Sequence, residues 1–335
     1  MNLKITEQKR VSRPDIAFCL IREEGTRRVF FGSSDAKIHT LDLTDEKPED
    51  GAFESDQGHQ SYITGLAMAR PGVLVSGSYD RQLAWWDCKK RSLIRKLPAH
   101  EKWIRKVVSS PNGKLIASVA DDMVCRLWNS TTGELHAELS GHAPITPHDF
   151  PSMLYTCAFS PDGQVLATAD KTGQIVIWDI ASKKQITTLE APIMYTWDPR
   201  ARRHSIGGIR SLAFSPDGKS LAVGGMGKVG NIDHLGGQAR IEVFNWEKQE
   251  SIAAIETGSV KGLIQCLAFH PDGNWLLGCG GDGKGCAVLI DPAKWEIAVE
   301  LQTQYHIHDF LLNESSDEIF AAGHQSIGTL GIEAV

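Results

Sequence analysis

Gly58-His59, Ile63-Thr-Gly-Leu-Ala-Met68, Pro71-Gly72 and Val73-Leu-Val-Ser-Gly-Ser-Tyr-Asp-Arg-Gln-Leu-Ala-Trp-Trp-Asp87 form one continuous pattern. Short apolar runs of period two are broken at Gly, Pro and Asp, which describes brief antiparallel strands joined by tight turns. A unit of this size cannot bury both of its faces alone, so it needs neighbours of its own kind. The chain supplies them. Residues 114–128 repeat the pattern after Ala99-His100, and residues 165–179 repeat it after Gly141-His142. Weaker copies span 220–246 and 275–291, one more precedes the template at 29–42, and a last one ends the chain at 319–332.

The large apolar residue closing the third strand of each copy falls at Leu41, Trp86, Trp128, Trp178, Phe244, Ile290 and Leu330. These positions are spaced by roughly 40–50 residues, apart from about 66 between Trp178 and Phe244. Ser-Pro-Asp-Gly turns at 160–163 and 215–218, His270-Pro-Asp-Gly273 and Ser110-Pro-Asn-Gly113 recur in phase with them. With its Gly-His and Trp-Asp marks, the chain resembles the WD40 family over essentially its whole length. The resemblance implies an all-β fold: a seven-bladed WD40-type β-propeller with four-stranded antiparallel blades in one domain, residues 1–335. Approximate blade boundaries are 14–57, 58–98, 99–140, 141–190, 191–257, 258–303 and 304–335. The last copy has only three strands, and the alternating segment Leu3-Lys-Ile-Thr-Glu7 lacks a partner. Residues 2–8 are therefore expected to complete the last blade and remove an exposed edge.

Composition narrows the function classes. The chain has 335 residues, 41% hydrophobic and 23% charged, with a net charge of −6. That balance favours neither a nucleic-acid backbone nor an anionic membrane as partner. No stretch has the apolar length of a membrane-spanning helix, and the N-terminus lacks the apolar core of a signal peptide. Seven cysteines stand singly with no Cys-x-x-Cys pair, which argues against a disulfide framework or a zinc ribbon and for a reduced, cytoplasmic setting.

In the family, a His before the first strand, a Ser or Thr on the second, an Asp in the next turn and the third-strand Trp form a hydrogen-bonded chain. The matching residues here are His59, Ser76, Asp80 and Trp86, then His100, Ser118, Asp122 and Trp128. A further repeat keeps His142, Thr168 and Trp178 but has Thr172 where the Asp is expected; the first repeat keeps only Asp35 and the sixth only Asp282. Ser, His and Asp together also describe a hydrolase triad. Their recurrence with a Trp under a turn favours struts, so no catalytic residue and no enzyme activity is expected.

The departures from the template carry the functional signal. Extra sequence lies at 143–152, 191–208 and 226–238. In a four-stranded meander, blade-to-blade links and second-to-third strand turns emerge at the same end, so all three inserts are expected on one face. Loops this long in a compact domain are usually functional or disordered. They hold Phe150, Tyr195, Trp197, Arg200, Arg202 and Arg203, residue types enriched at interface hot spots; the plainer alternative is that they cover the rim. Register adds Tyr62, Tyr79, Trp103 and Tyr305 at the channel mouth, where they either grip a peptide or stack between blades. These ten residues are the expected partner-binding set.

His148, His204, Asp233 and His234 gather in the inserts, but none has a recognised metal spacing, and no metal or cofactor is expected. Gly225-Met-Gly-Lys-Val-Gly230 spells a dinucleotide fingerprint without the helix that would receive a pyrophosphate. The expected function is a non-catalytic scaffold for protein or peptide partners. The alternative is a small-ligand or metal-binding propeller using the His/Asp loops of the fourth and fifth blades.

Overall fold

Strands Val73–Ser78 and Leu276–Gly281 are buried along their whole length, whereas Leu135–Ser140 is exposed at four of its six positions. This contrast follows from stacking. An inner strand covered by sheets on both faces reads as a continuous apolar run, and an outer strand facing water does not. The computed structural model describes residues 2–198, 200, 203–233 and 236–335, and its described residues form strands throughout, apart from one 3₁₀ turn at Pro192–Met194.

The architecture is a β-propeller of four-stranded antiparallel blades. The template folds as Ile63–Arg70, Val73–Ser78, Gln82–Asp87 and Ser92–Pro98, each strand paired with the next. Four more sheets repeat the meander, opening with Ile104–Ser109, Leu154–Phe159, Ser211–Phe214 and Leu263–Phe269.

The remaining sheet corrects the expectation of seven separate blades: the described residues make six principal sheets. The sixth has six strands, in the order Ile307–Leu312, Glu318–Ala334, Leu3–Arg22, Arg28–Ser33, Ile38–Asp42 and Gly51–Ala52. The cause is the shortness of the link. Leu3–Arg22 pairs with Glu318–Ala334 from Leu3 to Ser12 and again at Ile16, and with Arg28–Ser33 from Ala17 onward, and only three residues, Arg13-Pro14-Asp15, separate Ser12 from Ile16. Extended backbone continues through the link, while the register breaks there. The two halves of this sheet also pack on each other, with Phe31 and Leu41 of one meeting Phe320 and Ile327 of the other.

Apolar clusters join each sheet to the next. Val75, Leu83 and Trp85 pack on Ile104, Val107 and Ile116, and each fully buried Val, Leu or Ile contributes about 1.5–3 kcal/mol. Sheets approach closely enough that a Cβ added at Gly65 would lie 2.6 Å from the Val107 amide nitrogen, so only glycine fits. The innermost strands surround a cavity of about 220 Å³. Phe18, Thr64, Arg105, Tyr155, Arg210, Gln265 and His308, from seven successive segments of the chain, point into it.

Candidate functional site: the channel mouth and the joined inserts

The Ser/His/Asp sets lie beneath the turns as one-way proton chains. The Trp86 indole N–H donates to Ser76 Oγ (2.8 Å), Ser76 Oγ lies 2.7 Å from His59 Nε2, and His59 Nδ1 lies 2.9 Å from Asp80. One tautomer satisfies every group: Ser O–H donates to Nε2 and Nδ1–H donates to the carboxylate. The next repeat matches it, with Trp128 to Ser118 at 2.9 Å, Ser118 to His100 at 2.7 Å and His100 to Asp122 at 3.1 Å. Burial alone would raise the Asp80 carboxyl, but hydrogen bonds from His59 and from the Gln60 and Gln82 amides hold it below the usual range. Ser76 is fully buried and already accepts the Trp86 N–H, so no substrate reaches it.

The third set departs from expectation. His142 Nδ1 reaches Asp170, 2.9 Å away, and Thr172 instead donates its amide and hydroxyl to the same carboxylate. Asp170 ends its strand two residues early, close enough to the ring for Thr172 to cap it. Asp35 of the first repeat is also paired, with His39 from the third strand (2.8 Å) rather than with a His before the first.

At the channel mouth, Tyr62 and Trp103 are 44% and 50% exposed, with Tyr79 between them. Phe18, Tyr62, Tyr79 and Trp103 form a row with successive centroids 5.5, 5.7 and 4.6 Å apart. The Arg105 guanidinium lies 4.9 Å from the Tyr79 ring and 5.4 Å from Trp103, with Asp121 bound at 2.7 and 2.6 Å. Arg210 sits 3.5 Å above the Tyr155 ring.

Tyr305 does not join this row. It is 5% exposed and packs in the core beneath Arg10. The cause is a one-residue slip, which turns a side chain to the opposite face of a strand. The His324 amide bonds the His306 carbonyl as the Tyr79 amide bonds that of Tyr62, so the rim positions of the last repeat are His306 and His324. His306 stacks on His308 at 4.4 Å, and His324 lies 6.1 Å from His308. Burial, then the neighbouring imidazoles, pushes His306 down to about 4 and His308 down to about 3.

The inserts meet one another. Residues 191–208, expected as loop, contain a hairpin of Tyr195–Asp198 paired with His204–Gly207. The Tyr195 hydroxyl donates to Thr146 Oγ1 at 3.0 Å, and His148 stacks on Trp197 at 3.7 Å, tying the first insert to the second. The Val229 amide donates to Thr196 Oγ1 at 3.2 Å, tying the third. Trp197 stays 40% exposed, Phe150 is half-buried, and Arg200 and Arg203 are exposed. Arg202 lies outside the described residues. The insert ends reach the channel cations: Lys171 Nζ points to the Pro151 carbonyl (3.5 Å) and Arg210 donates to that of Gly207 (3.2 Å).

The metal alternative fares poorly. Among the described residues, His148, His204 and Asp233 belong to no grouping of metal-ligating atoms, and His234 lies outside those residues. The grouping present is Asp15, Asp35 and His39, and its atoms are engaged by Ser33, Arg13, Asp50 and each other. Among the described residues, the glycine-rich segment after Met226 opens a turn and no helix.

Sequence reasoning missed Phe18, Arg105, Tyr155 and Arg210. The signal was positional. Thr64 and Arg105 each fall two residues after a rim residue, and the same step in the next repeats gives Tyr155 and Arg210.

A propeller with one elaborated face is a class of molecule that holds loops in fixed positions. The model for the WD domain, G-beta repeat, matches residues 53–87, 91–129, 133–179, 199–229 and 253–285, more than half of the chain. The chain therefore belongs to the WD40 family. It is similar to WD repeat-containing protein VIP3 of Arabidopsis thaliana, 28% identical over 203 residues, 60% of this chain and 57% of that protein. It is also similar to small ribosomal subunit protein RACK1y of Oryza sativa, 28% identical over 192 residues, 56% of this chain and 52% of that protein. Similarity to telomerase protein component 1 of Mus musculus, 26% over 258 residues, covers 77% of this chain but 8% of that protein. The chain thus matches little more than half the length of the first two relatives and a small part of the third. No helix among the described residues is long and apolar enough to cross a membrane.

Proposed function

We propose that the chain is a non-catalytic scaffold that binds protein or peptide partners on the face formed by the channel mouth and the three joined inserts. The observation carrying this reading is the row of aromatic rings from Phe18 to Trp103, in which Tyr62 and Trp103 stay about half exposed beside a cavity. A large aromatic surface left in water and held rigid by its neighbours binds with little loss of side-chain entropy. Trp197, Arg200 and Arg203 extend the face over the inserts. Membership in the WD40 family supports the scaffold role, although fold alone does not fix function.

The ring counts as seven blades in one domain, with the six-stranded sheet as two of them. Supporting this count are the register break after Ser12, the apolar cluster between that sheet's halves and the seven segments lining the cavity. A cytoplasmic location fits the seven free cysteines, and an acidic chain fits protein partners better than nucleic acid.

The test is quantitative affinity capture from the source cell with the full chain and its Tyr62→Ala/Trp103→Ala variant. The reading predicts proteins captured by the parent and lost by an equally stable variant. An identical set on both contradicts it.

A further inference from the structure

The channel mouth holds more positive charge than it neutralises. Four cations cluster there: Arg105, Lys106, Lys171 and Arg210. Two are paired, Arg105 with Asp121 at 2.6 Å and Lys106 with Asp309 at 3.2 Å. Among the described residues, neither Lys171 nor Arg210 has a carboxylate within ion-pair distance. Lys171 is 6% exposed, and its ammonium makes one long contact, to the Pro151 carbonyl. Arg210 lies flat on Tyr155 with one bond to the Gly207 carbonyl, and its Nε is buried without a partner.

Such an arrangement costs free energy in the empty protein. A buried ammonium gives up hydration, and nearby like charges repel. Lys171 registers both effects. Burial first, then the charge of Arg210, lower its pKa from the usual lysine value; the Asp121 carboxylate opposes them in part, and Arg105 adds to the lowering. In ordinary packing such a pair would be neutralised by an Asp or Glu of the same chain, as Arg105 is by Asp121. The cavity beside Arg210, about 220 Å³ and walled by Tyr79, Tyr155, Arg105 and Arg210, has room for one side chain, and Lys171 stands outside its lining.

We infer that the channel mouth receives the carboxylate of an Asp or Glu side chain from a bound protein partner, placed against Arg210 and Lys171 with Tyr155 and Tyr79 as its walls. The inference rests on the binding face proposed above and names what that face selects. The aromatic row supplies contact area, and the two unpaired cations supply specificity. A neutral isostere would leave both cations unmet inside a desolvated interface, where charged hydrogen bonds discriminate most strongly.

The experiment is selection of a random decapeptide display library on the immobilised full chain. The best peptide and its Glu→Gln or Asp→Asn version are then synthesised with a fluorophore and titrated by anisotropy. The expected result is one fixed acidic position in the selected sequences, with a loss of about tenfold or more on neutralising it. That preference disappears in Arg210→Gln and Lys171→Met and persists in Arg210→Lys, which keeps the charge. Thermal melts confirm that each variant is folded.

Peptides that need Trp103 but tolerate neutralisation overturn the carboxylate inference and leave the face standing. Peptides indifferent to Trp103→Ala overturn the face itself. A selection that enriches nothing contradicts both.

Discussion

Tyr79 stacks on Trp103 with ring centroids 4.6 Å apart and planes 7° from parallel, across the boundary between two sheets. Tyr79 follows the second strand of its sheet and Trp103 precedes the first strand of the next repeat, so only the packed ring brings them together. Arg105 lies within 5.4 Å of both rings and fixes their orientation from the channel side.

Because Trp103 is half exposed, its removal is expected to test the proposed recognition with little change in stability. Trp103→Ala should lower unfolding free energy by no more than about 1.5 kcal/mol, the scale of an aromatic pair. Urea denaturation measures this. A much larger loss would make the row part of the structural core.

The struts should behave in the opposite way. Asp80→Ala leaves His59 and the Gln60 amide without their acceptor and is expected to cost about 1–3 kcal/mol. Asp170→Ala should match it, whereas Thr172→Ala, which removes only a cap on that carboxylate, should cost less. Reversal of this order in denaturant titrations would restore the strut to Thr172.

The histidine cluster predicts an acid-side loss of stability. His306 and His308 are pushed to about 4 and about 3 in the fold, below the ordinary value of 6.5. As pH falls below 6.5 the unfolded chain takes up protons before the folded one does, so unfolding becomes progressively favoured. The stability these groups contribute is complete above 6.5 and lost as pH falls through 4 and 3. Melting temperatures from pH 7 to 5 should fall, and more gently in His306→Gln/His308→Gln. Equal slopes would show that carboxylates alone govern this range.

Ring closure depends on the chain's first strand. Leu3 to Ser12 pairs with Ser326 to Ala334, and Ile5 is buried in the cluster with Leu330 and Ile332. Deleting residues 1–8 bares a strand edge, so a lower melting temperature or aggregation in light scattering is expected. A monodisperse variant with an unchanged melt would contradict this.

Much of the fold was legible because the repeat marks are chemically constrained. A buried Trp N–H needs an acceptor, so Ser76 and Trp86 advertise each other in sequence. The inserts were legible by length, although the hairpin at Tyr195–Asp198 and His204–Gly207 falls where a loop is expected, despite the Asp198-Pro199 step, which favours a turn. Asp170 escaped notice because a carboxylate two residues early reaches the same imidazole. Tyr305 was misplaced because period-two alternation punishes a one-residue error with the wrong face. Arg105, Tyr155 and Arg210 belong to no motif; they become a site only when seven segments converge on one axis. The single six-stranded sheet was hidden for a related reason, since Arg13-Pro14-Asp15 reads as a break but runs extended.

The central claim is that recognition sits on the aromatic row while the struts serve only the fold. The most direct measurement compares partner capture, normalised to folded protein, for Trp103→Ala and Trp128→Phe. The account predicts that Trp103→Ala keeps its melting temperature and loses the partner, while Trp128→Phe, which cannot donate to Ser118, melts lower and keeps it. Partner retention in Trp103→Ala together with loss in folded Trp128→Phe would contradict the account.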